Sequence, residues 1–553
     1  MARWRALIVL SVTQFLMVLD QSVMNVSISQ LVEDFDTTVS SIQAVITLYS
    51  LVMAALMITG GKIGDIIGRR RALVIGLVIY GSGSALTAAS WSVGSLAIGW
   101  SILEGIGAAL VLPAMAALIA GNYEGKDRVT AYGVLGGMAG AGIAIGPILG
   151  GWATTNLSWR VVFIGEVIVA LAIILTSRWI VDVASKRRPQ LDVVGAVLSA
   201  AGMAIAVLGV LQSSTWGWLD PLNSPVEPFG FALTPFVIAA GIAVLYAFKL
   251  WSAYRVRQGL DPLVDFALFR IDSLRAGLSS FVVQNTVLMG IFFALPLYLQ
   301  IVLGLNALDT GVRMLPTSIV MFAVSFSGAM LLKYFGQRTI IRMGLGVLLL
   351  AGVVLLGTIE PTLDGVSFGL GMALLGAGMG LIASQLGNVV LSSVDAEARS
   401  EAGGLQYTAQ QLGSSLGVAL IGSIVLTGLG SAFINQIEDD PDVPPEVTAD
   451  VEVALSSGVN FVASEDVAVN ATEAGLAPET VDALVDNYEE AQLLALKAGL
   501  LAVIAIAGLG FLATGGLPNR RDTDPATSDG GGGDFSAASV AEPANDDAEN
   551  QHA

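Results

Sequence analysis

Three carboxylates stand where charge is expensive. Asp20, Glu104 and Glu166 each interrupt a long apolar run of this 553-residue chain, and an ionisable group at membrane depth is costly enough to be a functional candidate by default. A carboxylate withdrawn from water favours its neutral form, so such a group can hold a proton near neutral pH and exchange it for a cation. The only histidine is His552, and there is no cysteine. Proton chemistry in the apolar region therefore falls to carboxylates, disulfides and thiolate metal sites are excluded, and no metal-ligand set is assigned.

The elements that position these groups follow from composition. The chain is 54% hydrophobic and 13% charged, with mean hydropathy +0.75, whereas soluble domains carry about 25% charged residues. These values describe an all-α, polytopic membrane protein. The first apolar run follows Arg3 and Arg5 and continues past residue 28 with no small-residue cleavage site, so it is expected to be a span rather than a signal peptide. A spanning helix needs about 20 apolar residues. Fourteen segments qualify, near 7–30, 40–60, 72–90, 94–120, 130–154, 161–181, 191–212, 231–251, 277–303, 311–332, 339–358, 366–392, 403–432 and 494–515.

Basic residues orient them. With the N-terminus cytoplasmic, 23 of the 26 Lys and Arg fall on the cytoplasmic side, and only Arg160, Arg313 and Lys497 lie outside. Both termini are thus expected in the cytoplasm, across the inner membrane. Asp20 then lies roughly 20 Å from the inner end of span 1, and Glu104 roughly 15 Å from the outer end of span 4, at 1.5 Å per residue. Glu166 is nearer the outer end of span 6, close enough to Arg160 for an internal pair.

Two glycine-rich stretches carry the remaining signal. GGKIGDIIGRRR, residues 60–71, sets three arginines and Asp65 into a short connection between spans 2 and 3. No strand precedes its glycines and no Gly-Lys-Ser/Thr follows, so it is not a nucleotide cradle. GVLGGMAGAGIAIGPILGG in span 5 makes overlapping small-xxx-small steps at 133/137, 136/140, 142/146 and 146/150, which let a neighbouring helix approach at backbone distance, and Pro147 is expected to kink it. No Ser/His pair, metal cluster or nucleotide loop points to an enzyme, and a net charge of −19 argues against nucleic acid.

The connection GGKIGDIIGRRR resembles the loop motif of the major facilitator superfamily, with Gly61, Gly64, Asp65, Gly68, Arg69 and Arg70 in matching places. Span 5 is similar to that superfamily's antiporter signature at Gly133, Gly142, Gly146, Pro147, Gly150 and Gly151. LDQSVMNVSI in span 1, the WGW at 216–218 and LPLYLQIVLGLNALDTGVRMLP at 295–316 are shaped as in its fourteen-helix drug:proton antiporters, of the EmrB/QacA type. LLKYFGQR after span 10 is a partial copy of the loop motif, with Gly336 and Arg338 standing where Gly68 and Arg70 stand and Lys333 where Asp65 stands.

The resemblance implies the major facilitator fold. An N-terminal six-helix half would span 1–185, two inserted linker helices (spans 7 and 8) 186–256, and a C-terminal half 257–515, with substrate bound at the midplane. It implies proton-driven export, with no cofactor, of amphipathic and cationic small molecules by a monomer among membrane lipids. A dedicated exporter of one metabolite, siderophore or lipid would share the fold, and a transport-inactive sensor or scaffold is a third possibility. Asp65 would pair with a basic residue across the half-interface, and the arginines would meet lipid headgroups. Span 4 departs from the superfamily's Arg-x-x-Gln-Gly-x-Gly, placing Ser101 at the arginine and Glu104 at the glutamine, and Glu166 stands where asparagine is common. Asp20, Glu104 and Glu166 are the expected coupling or substrate residues. Asn25, Gln284, Asn285, Gln300, Gln406, Tyr407, Gln410 and Gln411 are expected to line the cavity, with Phe292, Phe293 and Tyr298 as aromatic contacts or packing anchors. Residues 433–492 carry fifteen Asp and Glu and no Lys or Arg. This segment is expected to be a solvated outer cap or a cation-concentrating lid, with an amphipathic helix from Pro478. The tail at 516–553 is expected to be disordered.

Overall fold

A computed structural model describes residues 4–37, 39–182, 190–221, 223–395, 398–456 and 461–519. Lys186, Arg187 and Arg188 and nearly all of the C-terminal tail lie outside these. Among the described residues, fourteen helices are long and apolar enough to cross a membrane. Spans 1–6 are Arg5–Met24, Ala44–Ile67, Arg69–Ala88, Val93–Asn122, Asp127–Thr154 and Arg160–Thr176 with its short continuation to Trp179. Spans 7 and 8 are Val193–Ser213 and Thr234–Arg257, and spans 9–14 are Asp272–Val302, Leu308–Gly328, Gln337–Leu356, Gly365–Ser392, Glu401–Asp439 and Pro478–Gly516.

Polar side chains start several of these helices by satisfying first-turn amides. Ser92 and Ser95 form a reciprocal capping box before span 4, and Asp192, Asn306 and Asp364 cap the helices of spans 7, 10 and 12. Asp192 also accepts from the Trp251 indole at 2.9 Å and lies 3.6 Å from Arg255, which fastens span 7 to span 8. The inserted pair packs on itself where Gly202, Gly209 and Gly241 bring the helices together, and span 7 rests against spans 2 and 13.

Apolar side chains gain nothing from leaving lipid, so helix contacts in a membrane depend on small residues and interhelical hydrogen bonds. Span 5 shows this division of labour. A Cβ on Gly133 would lie 2.5 Å from the Ser325 carbonyl oxygen of span 10, and Gly137 and Gly140 admit Phe322 and Met321 of the same helix. Farther along, Gly142, Gly146 and Gly150 seat Val18, Ser22 and Val23 of span 1. The N-terminal half of the motif thus joins the two six-helix groups, and its C-terminal half packs within the first group. The side chain of Pro147 is not among those described, and the helix runs unbroken from Gly125 to Asn156.

At the end that holds most of the basic residues, the two groups meet closely. Gly404 of span 13 lies against Met57 and Ile58 of span 2, Gly403 against Pro113 of span 4, and Gly387 of span 12 against the Tyr132 ring of span 5. Tyr132 in turn donates to the Ala116 carbonyl at 3.0 Å.

The acidic outer segment is more ordered than a solvated loop. Span 13 extends to Asp439, span 14 begins at Pro478, and helices Pro445–Ser456 and Ser464–Glu473 lie between them. Phe433 meets Tyr488 edge-on at 5.2 Å, the Tyr488 hydroxyl accepts from the Val462 amide, and Gln492 donates to the Val462 carbonyl at 2.7 Å. Val481, Leu484 and Tyr488 are buried, as their spacing predicts, but on a helix continuous with span 14. Its acids remain outside while apolar groups form a small core.

Gly133→Leu should lower thermal stability in detergent by about 1–3 kcal/mol, because the intruding atoms meet backbone that cannot yield. Gly346→Leu, where a Cβ meets nothing within 4 Å, should leave the melting temperature unchanged or raise it.

Candidate functional site

Spans 1, 4 and 6 bring the three carboxylates together. One oxygen each from Asp20, Glu104 and Glu166 lie within 4.8 Å of one another, and the residues are 0%, 0% and 2% exposed. Every group hydrogen-bonded to them belongs to spans 3 and 4, so the cluster lies inside the first six-helix group.

Close backbone contact between spans 3 and 4 makes this possible. A Cβ on Gly83 would stand 2.6 Å from Glu104 Cγ and 2.7 Å from the Gly99 carbonyl, and one on Gly99 would stand 2.8 Å from Thr87 Oγ1. Span 4 is π-helical from Ala97 to Glu104, a widened turn of the kind that often marks functional sites. Trp100, Ser101 and Glu104 are buried on it while Ile98 and Ile102 face outward. Ser101 donates to the Val45 carbonyl of span 2 at 2.7 Å, so a neutral hydroxyl tied to backbone stands where the resemblance places an arginine.

Each carboxylate is held by one oxygen. The Trp100 indole donates to Asp20 Oδ1 at 2.7 Å, Thr87 Oγ1 to Glu104 Oε1 at 3.2 Å, and the Tyr80 hydroxyl to Glu166 Oε2 at 3.0 Å with Ser84 at 3.4 Å. The other oxygens, Asp20 Oδ2, Glu104 Oε2 and Glu166 Oε1, have no hydrogen-bond partner, and neither has the buried Tyr49 hydroxyl. Tyr49 stacks on Trp100 with ring centres 4.4 Å apart. Among the described residues no Lys or Arg bonds to any of the three acids.

Charge decides what this arrangement can hold. Two anions 4.8 Å apart repel by about 3 kcal/mol even at an effective dielectric of 20, and three such pairs share one dry pocket. Three bare carboxylates are not sustainable there. Protons or a cation would offset that charge.

The internal pair with Arg160 does not form. Arg160 reaches Asp34 at 2.7 Å and the Ser90 carbonyl at 3.1 Å, and its guanidinium lies 4.4 Å over the Trp159 ring. The Trp159 indole also donates to Asp34, and that bond, helped by Arg160, holds the Asp34 carboxyl below its ordinary range. This outer staple secures the end of span 1 to the starts of spans 4 and 6, leaving Glu166 to Tyr80.

The other expected site residues divide. Tyr407 of span 13 reaches Gln14 of span 1 at 3.4 Å, and Gln411 reaches the Met53 sulfur of span 2 at 3.6 Å, so both bridge the two groups. Gln21 meets the same sulfur at 3.5 Å. Gln284 and Gln406 are buried with their Oε1 atoms unpartnered. Gln410 is half-buried, and Asn285 bonds the Phe281 carbonyl in its own helix. Gln300 is exposed on the π-helical end of span 9. The Asn25 side chain is outside the described set. Phe292 and Phe293 are partly buried, and Tyr298 is a packing anchor whose hydroxyl donates to the Thr358 and Glu360 carbonyls.

In the loop motif, Asp65 lies 3.3 Å from Arg69 with both side chains buried, an ion pair within the connection itself. Arg69 and Lys62 are buried, so of this basic set only Arg70 and Arg71 remain for lipid headgroups. Gly68 adopts φ +99° and abuts Asp182, which accepts from the Arg70 amide at 3.3 Å. The partial copy does different work: Arg338 donates to the Leu517 carbonyl at 2.7 Å and anchors the chain after span 14.

Four donors around the acids escape a search for charge. Tyr80, Ser84 and Thr87 were legible as one face of span 3, at steps of four and three. Trp100 lies four residues before Glu104 on the same wall.

Comparison with known proteins agrees with this architecture. The Major Facilitator Superfamily model matches residues 10–418. The tetracenomycin C resistance and export protein of Streptomyces glaucescens is 28% identical over 82% of this chain and 82% of its own length. The multidrug efflux pump LfrA of Mycolicibacterium smegmatis is 26% identical over 92% of this chain and 96% of its own. Among solved structures, the human organic anion transporter MFSD10 aligns over 93% of this chain and 99% of its own at TM-score 0.59 and 13% identity, a likeness of fold.

Tyr80→Phe, which removes the strongest donor to Glu166, should cost about 1–3 kcal/mol of stability. Glu166→Gln, which removes charge but keeps shape, should not lower the melting temperature measured in detergent.

Proposed function

The chain belongs to the major facilitator superfamily, and we propose that it exports amphipathic, cationic small molecules across the cytoplasmic membrane in exchange for protons. The observation that carries this is the joining of Asp20, Glu104 and Glu166 in one dry pocket without a basic partner. Such a pocket is electrically tolerable when protonated, and losing its protons gives a state that a cation or a change of conformation must relieve. Asp20 connects this chemistry to the transport path, since span 1 also carries Gln14 and Gln21 to the interface with spans 2 and 13.

Alternating access then uses the span 5 glycines. Their contact with span 10 closes the basic end, and their contact with span 1 lies beside Asp20, at Val18 and Ser22. A change in the charge of the pocket is therefore felt where spans 1 and 5 touch. The asymmetry of Lys and Arg supports cytoplasmic termini, and the buried Asp65–Arg69 pair supports a latch on that side. Protons and the transported molecule are the only ligands this cycle needs, and one chain contains every part of it.

A second reading, dedicated export of one endogenous metabolite, has support from the tetracenomycin C export protein among its relatives. Sensitivity of a deletion strain to a panel of cationic dyes and antiseptics separates the two: broad sensitisation favours the wider range, and loss of one secreted compound alone favours the dedicated exporter.

In proteoliposomes, an imposed proton gradient should drive accumulation of ethidium, and Asp20→Asn or Glu104→Gln should reduce that accumulation at least tenfold with insertion unchanged. Gradient-driven transport unaltered in both variants would remove the carboxylates from the mechanism.

A further inference from the structure

We propose that the pocket formed by Asp20, Glu104, Glu166 and Tyr49 is also a binding site for a divalent cation of calcium size. Three atoms no more than 4.8 Å apart share a point at most about 2.8 Å from each, since 4.8/√3 is 2.8. Calcium takes oxygen ligands at about 2.3–2.6 Å in flexible geometry, whereas magnesium demands about 2.0–2.1 Å and a near-octahedral shell. A contraction of a few tenths of an ångström brings three of calcium's six to eight oxygen ligands into range, leaving the rest to second carboxylate oxygens or water, and magnesium requires a larger contraction.

The donor set has the right chemistry. All three candidate ligand atoms are carboxylate oxygens, the ligand type that hard cations select. Each acid keeps one oxygen without a partner while its other oxygen is held in place by Trp100, Thr87 or Tyr80. Such outer bonds fix the orientation of metal-binding carboxylates. The buried Tyr49 hydroxyl is a second polar group beside these acids. It is 1% exposed, has no hydrogen-bond partner, and stacks on the very tryptophan that donates to Asp20. A buried polar atom left unpaired costs about 1–3 kcal/mol, and each of the three acids and Tyr49 carries one. No ammonium or guanidinium competes for the acids among the described residues, so two positive charges would offset most of the cluster's negative charge.

The site shares its carboxylates with the proposed coupling role, but it stands or falls by a different measurement. Full-length protein purified in detergent should bind radioactive calcium saturably at pH 8, one ion per chain, with magnesium at least tenfold weaker. Terbium, a calcium substitute excited by nearby aromatic rings, should show sensitised emission from Trp100 and Tyr49. Asp20→Asn, Glu104→Gln and Glu166→Gln should each weaken calcium binding at least tenfold while eluting as monodisperse protein. Neutralising Glu446, Asp450, Glu465 and Asp466 of the outer cap should leave this binding intact. Absence of saturable binding to monodisperse wild type overturns the inference, as does binding that persists unchanged in the three pocket variants and disappears in the cap variant. If calcium binding is absent while Glu104→Gln still abolishes proton-driven transport, the coupling role stands without the cation site. If binding is present and transport is unaltered in Glu104→Gln, the cation site stands without the coupling role.

Discussion

Mutual repulsion among three buried carboxylates is the constraint around which the first six helices are arranged. Asp20, Glu104 and Glu166 come from three spans, and each is fixed by neutral donors rather than, among the described residues, by a countercharge. An arginine at position 101 would supply that countercharge internally. Ser101 instead bonds the span 2 backbone, which is why the proposed role gives that neutralisation to protons or a cation. A group that must borrow its charge balance from solution is suited to coupling, because its occupancy changes when access changes.

The rest of the machine follows from how helices associate where lipid surrounds them. Burial of apolar groups gives little preference for one helix contact over another in a membrane, so glycine placement determines which backbones can touch. Gly83 and Gly99 bring spans 3 and 4 close enough to deliver Glu104, and the span 5 glycines divide their contacts between span 10 and span 1. The same device therefore builds the pocket and joins it to the interface that has to open. At the outer end, the Asp34, Trp159 and Arg160 staple and the helical acidic cap hold elements whose own sequences are too polar to be held by lipid. For Asp34, a carboxyl held below its ordinary range stabilises the fold at neutral pH, and that contribution disappears only as pH falls through the lowered value.

Much of the fold was legible because hydrophobic length is a one-dimensional property. The fourteen spans stand near their expected places, and the largest departure is span 14, whose helix begins well inside the polar acidic segment. Apolar length cannot register a helix whose support is a small core of Phe433, Tyr488 and Val481 outside the membrane. Proximity in sequence misled at Glu166. Arg160 is close in sequence to Glu166, but it is taken by Asp34, which is distant in sequence and near in space. Asp65 pairs with Arg69 in its own loop, and Arg69 is buried beneath the face its sequence neighbours expose.

The sequence by itself determined the class of molecule, the number of spans and the identity of the three acids, because each depends only on which residues are polar within an apolar run. Only the tertiary structure decided that the acids share one pocket, that among the described residues neutral donors and no Lys or Arg hold them, and that each retains an unpartnered oxygen. Those facts depend on the rotation of spans 1, 4 and 6 about their axes and on a π-helical turn in span 4. Neither is written in composition or periodicity, since both arise from where glycine lets one backbone rest against another.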